Sequence, residues 1–148
     1  MAETQLSVTI ARPLEEVFAV LTDPNNTPRW SAPAVEEQWI TTGPPGIGSR
    51  RRAVTQFMGG RSENVAEVTA YEPNRMWEMT SVAGPPFVVR ATFAPVDSGT
   101  RIDWTWSFDF HGPMRLFGPL VAGIFGRQFA KDLAQLKEKL ALLRTPLL

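Results

Sequence analysis

The sequence predicts an α+β fold in which a curved antiparallel sheet wraps around one long C-terminal helix. One reason is the segment 101–110, where large apolar residues alternate with polar ones as in a strand with one wet face: Ile102, Trp104, Trp106, Phe108 and Phe110. Another is a series of turn signals between residues 48 and 110 at the spacing of an antiparallel meander. The third is an apolar helical stripe near the C-terminus, which can cover the aromatic face of the sheet.

Length and composition predict a single globular domain over residues 1–148. The chain is 43% hydrophobic and 20% charged, and it carries 15 basic and 15 acidic residues, so no overall field attracts nucleic acid or anionic lipid. The aromatic residues lie opposite the charges instead of among exposed basic residues, so we expect no nucleic-acid partner. The absence of cysteine excludes disulfides, thiolate nucleophiles and cysteine metal sites.

The N-terminus does not have the pattern of a secretory signal, because no basic segment is followed by an apolar one. We therefore expect a cytoplasmic protein. The most apolar run, Leu116 to Phe125, is far shorter than the ~20 residues of a spanning helix. No stable membrane insertion is expected from it.

A strand over 5–10 and a helix begin the predicted order of elements. The strand has period-two apolar residues, and Pro13 suits the first turn of the helix. Apolar residues then recur at spacings of three and four, which is typical of an amphipathic helix: Leu14, Val17, Phe18 and Leu21. The helix is predicted to be short.

A second short helix and a second strand follow. Asp23 can cap this helix, Pro24 suits its first position, and it should end near Trp30. The segment 34–41 predicts a strand, which the breaker cluster at 43–46 ends.

The meander itself consists of five predicted strands, each separated from the next by a glycine or proline turn. The strands are Arg50 to Met58, Ser62 to Tyr71, Arg75 to Val82, Phe87 to Pro95 and Thr100 to Phe110. The triplet Arg50, Arg51 and Arg52 lies on the first of them, where alternation splits it between two faces. Glu78 and Arg90 lie on neighbouring strands and are expected to form a cross-strand pair.

The last helix is predicted to begin after Gly112-Pro113. Its second half carries an apolar stripe at spacings of four and three: Phe129, Leu133, Leu136, Leu140 and Leu143. Glycines and a proline weaken its first half, so we expect a kink or loose turn between 112 and 122. Two alternatives stay open for the space beneath it, a core filled by aromatic rings or a cavity for a ligand.

Several segments together resemble the START-related helix-grip superfamily, often called SRPBCC. They are Ile10 to Pro24 with Trp30, Val68 to Pro73, Ser98 to Ile102 and Phe117 to Lys137. The resemblance is closest to the bacterial polyketide cyclase/dehydrase and lipid-transport branch, and it spans nearly the whole chain. It implies the helix-grip order β-α-α-β6-α, and it implies little about function because lipid carriers, cyclases and chaperone-activating domains share this fold.

The candidate ligand site lies between the sheet and the last helix. We expect its floor to consist of Trp104, Trp106 and Phe108. The adjoining wall would consist of Trp77, Met79, Phe87, Val89 and Ala91. A mobile lid would consist of Leu116, Leu120, Ile124 and Phe125, because glycines lie between these residues.

Polar groups that could anchor a ligand or perform chemistry are few. Either Glu37 or the pair Glu36 and Gln38 must point inward, and the sequence leaves this open. Asn64 and Arg52 are possible interior anchors, although an edge or outer-face position is favoured for each. The other candidates are expected at the surface or in solvent: His111, Asp103 and Asp109.

The leading functional hypothesis is a binder or carrier of a hydrophobic small molecule such as a lipid, an isoprenoid or a polyketide. An aromatase/cyclase-like enzyme and a protein-interaction module are the alternatives, and whether the protein is an enzyme stays open. No cofactor is expected, and a single histidine excludes a histidine metal cluster. The interaction module would have a filled interior, whereas the other two need a cavity.

Overall fold

The structure is a computed structural model and describes the following residues: 2–57, 59–97, 99–108 and 116–144. Within these ranges, seven strands and three helices follow the predicted order β-α-α-β6-α. They are β1 Ala2–Ile10, α1 Leu14–Leu21, α2 Thr27–Trp30, β2 Ala34–Trp39, β3 Arg50–Phe57, β4 Gly60–Glu72, β5 Met76–Ala83, β6 Phe87–Val96, β7 Gly99–Phe108 and α3 Gly118–Arg144. The predicted strands and helices are confirmed, with ends that differ by a few residues.

Both short helices form where the local sequence favours them. Pro13, with φ −59°, precedes α1, and Glu15 and Glu16 place negative charge in its first turn. The Asp23 side chain accepts a hydrogen bond from the backbone N–H of Asn25 at 3.0 Å and so caps a 3₁₀ turn that leads into α2.

One antiparallel sheet contains all seven strands in the order β1-β7-β6-β5-β4-β3-β2. Strands β3 to β7 form the predicted meander, β2 pairs with β3 at one side, and β1 pairs at the other along the full length of β7, from Ile10 opposite Thr100 to Ala2 opposite Phe108. Gly99 lies where these strands meet. A Cβ atom there would approach the Ile10 carbonyl oxygen to 2.1 Å, so only glycine fits.

Helix α3 lies over the concave inner face of the sheet. Its predicted stripe is buried at Phe129, Leu133, Leu136 and Leu140, while the Leu143 side chain is outside the described part of the chain. The expected kink falls partly on residues 109–115, which are also outside it, and from Gly118 the chain is helical. Near this end, Thr4 of β1 donates a hydrogen bond to the Ala122 carbonyl at 2.9 Å.

The space between sheet and helix is filled at one end only. There, Phe18 of α1 makes edge-to-face contacts with Tyr71 and Phe93, at ring centroid distances of 5.7 and 5.0 Å. The opposite end, beneath the first turns of α3, holds the candidate site.

Charged pairs cover the outer face of the sheet. The predicted pair forms between Arg90 and Glu78 at 2.6 Å, and Arg52 pairs with Glu63 at 2.8 Å. None of the helices in the described residues is long and apolar enough to cross a membrane.

Candidate functional site

A cavity of about 420 Å³ lies between the inner face of the sheet and the N-terminal half of α3. Its volume is within the ~300–1,000 Å³ of small-molecule sites. Helix α3 contributes the residues that follow one another at about one helical turn: Val121, Phe125, Phe129 and Asp132. The region of α2 closes one side with Thr27, Trp30 and Ser31.

One side of the cavity, which we call the aromatic wall, consists of Trp77, Phe87, Trp104, Trp106 and Phe108 on β5 to β7. Their side chains face α3, where Phe129 packs edge to face against Trp104 and Trp106 at centroid distances of 5.2 and 5.6 Å. Trp30 and Trp39 border the same cavity, so all five tryptophans of the chain line it. The aromatic residues therefore surround a space that they do not fill.

Four of these indole groups are buried at their polar ends. Among the described residues, no acceptor pairs with the indole N–H groups of Trp30, Trp77, Trp104 and Trp106. The Oδ1 atom of Asn64 likewise has no donor there. Buried polar groups in folded proteins are nearly always hydrogen-bonded to protein or to another molecule. Their concentration here sets this region apart from the rest of the core.

The other side of the cavity, which we call the polar wall, consists of Glu37, Arg51, Thr55, Ser62 and Asn64 on β2 to β4. Alternation along each strand places these side chains on the inner face. Ala53 lies opposite both Glu37 and Asn64 in the strand register. Its small side chain leaves room between the two polar ones.

Glu37 and Arg51 form a buried ion pair in this wall. The Nη1 atom of Arg51 lies 2.7 Å from Oε1 of Glu37, and the two side chains are 8% and 9% exposed. The Thr27 hydroxyl donates a hydrogen bond to the same Oε1 atom at 3.0 Å. Burial raises the pKa of the Glu37 carboxyl, and the Arg51 cation and the Thr27 hydroxyl oppose this shift without cancelling it.

A second buried carboxylate holds α3 against the connection between α2 and β2. Asp132, which is 3% exposed, accepts hydrogen bonds from the Ser31 hydroxyl at 3.2 Å and from the Ala32 backbone N–H at 3.1 Å. Gln128, one turn earlier on α3, donates a third at 3.0 Å. These bonds fix the height of the helix above the polar wall.

The edge of the cavity consists of two strand connections and the start of α3. Gly60 and Arg61 begin β4, directly after its turn from β3, and Pro85 and Pro86 lie in the turn between β5 and β6. The first residues before and within α3 leave large apolar side chains in solvent: Leu116, Phe117 and Leu120.

Seven of the thirteen residues expected in the ligand site line the cavity: Trp77, Phe87, Trp104, Trp106, Phe108, Asn64 and Phe125. Met79, Val89 and Ala91 do not, and for these the expectation about position was wrong. They are almost fully buried beside larger side chains that line the cavity: Val89 lies opposite Trp106, and Ala91 lies between Trp77 and Trp104 in the strand register. Whether the seven lining residues bind a ligand stays a prediction.

The proposed lid was also placed incorrectly. Leu116 and Leu120 are 83% and 60% exposed, and Ile124 does not border the cavity. The lining positions of the helix are Val121 and Phe125, which lie about 100° around the helix from Leu120 and Ile124. The apolar character of this segment extends around the helix, so the sequence did not identify which stripe faces inward.

Among the polar candidates, Glu37 is the inward residue of β2, whereas Glu36 and Gln38 are exposed. Asn64 also faces inward. Arg52 lies on the outer face with Glu36 and Glu63, so it is not an interior anchor. Arg51 takes that position, on the same face of β3 as Ala53 and Thr55.

The remaining candidates do not reach the cavity or are outside the described residues. Asp103 pairs with Arg101 at 3.2 Å and is half exposed, as expected. His111, Asp109 and Phe110 lie within 109–115, outside the described residues.

Known proteins show the same sequence pattern and fold. The profile of a family described as polyketide cyclase / dehydrase and lipid transport matches residues 1–141. An uncharacterized protein of Mycobacterium tuberculosis, Rv2574, is 28% identical over 136 residues, which cover 86% of this chain and 79% of the relative.

Several solved structures have the same fold over almost the whole length of this chain. The crystal structure of TTHA0849 from Thermus thermophilus has a TM-score of 0.81 at 19% identity and covers 95% of this chain and 97% of its own. A START superfamily protein from Mycobacterium smegmatis has a TM-score of 0.77 at 15% identity, covering 97% and 99%. At such identities these likenesses concern the fold alone.

Proposed function

Because the chain belongs to the polyketide cyclase / dehydrase and lipid transport family, we propose that its cavity binds one hydrophobic small molecule, such as a lipid, an isoprenoid or a polyketide. The predicted resemblance to the START-related helix-grip superfamily is confirmed for family and fold. Family and fold indicate a START-like domain for a hydrophobic ligand. Which ligand the cavity binds, and whether the protein transports it, are parts of our proposal.

The observation that supports the proposal best is that all five tryptophans border one cavity. Large rings that served only as core would pack without leaving space, since protein interiors are close-packed. Here the rings remain in contact with each other while a space of about 420 Å³ persists beside them. A ligand in that space gains about 25 cal/mol per Å² of apolar area removed from water, before ordering costs.

Binding is tested with N-phenyl-1-naphthylamine, a neutral dye whose fluorescence rises in apolar sites. Val121→Phe adds a ring on the cavity side of α3 and should weaken dye binding about tenfold or more, the equivalent of ~1.4 kcal/mol. Ala130→Phe adds the same ring on the exposed side of the helix and serves as the matched control. It should leave dye binding unchanged.

Native mass spectrometry of freshly purified protein complements the dye experiment. A retained apolar molecule that Val121→Phe loses and Ala130→Phe keeps would identify the natural ligand class. If the dye binds both variants like the unchanged protein, the cavity is not the binding site. If neither dye nor any apolar molecule binds, the proposed function is wrong.

A second candidate function is a cyclase-like enzyme, and one observation favours it. Glu37 is a buried carboxyl beside the cavity whose pKa burial raises, which is the setting of many general bases. A carrier releases its ligand unchanged, whereas a cyclase changes it. Mass spectrometry of a retained ligand, before and after prolonged incubation with the protein, distinguishes the two functions.

We do not favour the interaction-module alternative. It required a filled interior, and the cavity beneath α3 is open. The carrier therefore stays our leading proposal.

A further inference from the structure

The ion pair in the polar wall has hydrogen-bonding atoms to spare. Arg51 uses Nη1 toward Glu37 at 2.7 Å and donates from Nε to the Met79 sulfur at 2.9 Å, and a thioether is a weak acceptor. Glu37 uses Oε1 for both Arg51 and Thr27. The Nη2 atom of Arg51 and the Oε2 atom of Glu37 take part in none of these three contacts.

Stability alone does not account for this buried ion pair. Removing two charges from water costs several kcal/mol per ion, and apolar residues of similar size often stabilise a fold as well or better. The raised pKa of Glu37 reflects the same burial. Both residues line the cavity and so lie beside any molecule inside it.

We infer that Glu37 and Arg51 bind a neutral hydroxyl group of the ligand and select against carboxylates. This inference rests on the proposed function. One hydroxyl satisfies both spare atoms, because its O–H donates to Oε2 of Glu37 and its oxygen accepts from Nη2 of Arg51. Asn64 lies one strand further along the same wall and adds a buried acceptor that has no donor in the described part of the chain.

The charge of the site supports a neutral group. Among the described residues, four charged side chains line the cavity, and Glu37 and Asp132 balance Arg51 and Arg61, so the charge of these four sums to zero. A carboxylate would add a second negative charge beside Glu37, where little water screens the repulsion. An ammonium group would add a second positive charge beside Arg51, and the two cations would repel each other.

The size of the cavity limits the rest of the ligand. A volume of 420 Å³ is in the lower half of the ~300–1,000 Å³ range of small-molecule sites. A few fused rings or a medium-length aliphatic chain suits a site of this size. The ligand class is therefore a compact aromatic or aliphatic alcohol or phenol whose body faces the aromatic wall.

Three probes that share one ring system test the inference: naphthalene, 2-naphthol and 2-naphthoate. Each competes with N-phenyl-1-naphthylamine for the protein at neutral pH, where 2-naphthol is neutral and 2-naphthoate is an anion. We expect 2-naphthol to bind about tenfold more tightly than naphthalene and 2-naphthoate to bind more weakly than 2-naphthol. Hydrogen bonds to charged groups are strong enough for such a difference.

Two variants change this order in defined ways. Glu37→Gln leaves the site with a net positive charge and should reverse the order of 2-naphthol and 2-naphthoate. The double variant Glu37→Leu/Arg51→Met removes both charges and should bind naphthalene and 2-naphthol equally. The matched control Arg52→Met/Glu63→Leu removes an ion pair from the outer face and should keep the order of the unchanged protein.

The outcomes separate this inference from the proposed function. If naphthalene binds and 2-naphthol binds no more tightly, the inference is wrong while the proposed function stands. The inference is also wrong if 2-naphthoate binds the unchanged protein most tightly, since Arg51 would then be an anion site. If neither the dye nor any probe binds, the proposed function itself fails. Should Glu37→Gln not fold, the double variant and the unchanged protein still decide.

Discussion

The two walls of the cavity are built on different principles. The aromatic wall consists of rings that contact each other and α3, so the side chains that line the cavity also form the core. The polar wall consists of small and charged side chains on the strands nearest the β2 edge of the sheet, and Glu37 and Arg51 are its only ion pair among the described residues. The first wall stabilises the fold, whereas the second costs desolvation.

This difference shows in which wall a substitution can change ligand binding without also changing the stability of the fold. A residue of the aromatic wall affects both stability and the shape of the cavity, so its loss is hard to interpret. The polar wall contributes little net stability as an intact pair, so changes that preserve charge balance there report on the ligand.

Trp104→Ala should cause the largest loss, about 3–5 kcal/mol in the free energy of unfolding, since its indole is 3% exposed and packs against Trp30, Trp77 and Phe129. Urea denaturation followed by circular dichroism measures this loss. Phe117→Ala removes a ring that is already 53% exposed and should change little. A loss below about 1 kcal/mol for Trp104→Ala would mean that this ring belongs to the cavity alone and not to the core.

Arg51→Met should destabilise the protein by about 3 kcal/mol at neutral pH, because it leaves the ionised Glu37 carboxyl buried without its cation. The pKa of Glu37 in the folded protein is already raised above its ordinary value of 4.5, and losing Arg51 raises it further. The folded state therefore binds this proton more tightly than the unfolded state. The cost of the charged carboxyl is full above the folded pKa and disappears below the ordinary value.

The deficit of Arg51→Met relative to the unchanged protein should consequently shrink as the pH falls through the raised pKa of Glu37 toward 4.5. Urea midpoints measured across this range test the sign. The double variant Glu37→Leu/Arg51→Met should recover most of the lost stability at neutral pH. A deficit that grows with acid would show that Glu37 is not the group left unpaired.

The fold was predictable from the sequence because its signals are periodic and local. The alternation of Ile102, Trp104 and Trp106 with polar residues fits only a strand. The apolar stripe that ends at Leu140 fits only a helix. The pairing of β1 with β7 was not predictable in this way, because it joins the two ends of the meander through contacts distant in sequence. The close fit of Gly99 against Ile10 becomes visible only in three dimensions.

The site was predictable only where one strand determines the direction of a side chain. Trp104, Trp106 and Phe108 follow from alternation, but alternation does not show which inward side chains their larger neighbours cover, and so Met79 and Val89 were misplaced. The same limit affected the start of α3, where apolar residues surround the helix. For the three consecutive arginines, alternation gave two possible faces, and the sequence had no signal strong enough to choose Arg51 over Arg52.

Arg52→Met should have the smallest effect, although it changes the residue next to Arg51 in the same way. Arg52 is paired with Glu63 and Glu36 in solvent, and such surface pairs contribute little because water and salt screen them. The Arg52 guanidinium lowers the pKa of Glu63, so the small contribution of this pair is present at neutral pH and is lost in acid, opposite in direction to the effect of Glu37. The urea midpoint of Arg52→Met should therefore match that of the unchanged protein, most closely in high salt. If the midpoint of Arg52→Met instead fell as far as that of Arg51→Met, the division of β3 into a solvent face and a cavity face would be wrong. The charge balance that makes the polar wall selective would then have to include residues of both faces.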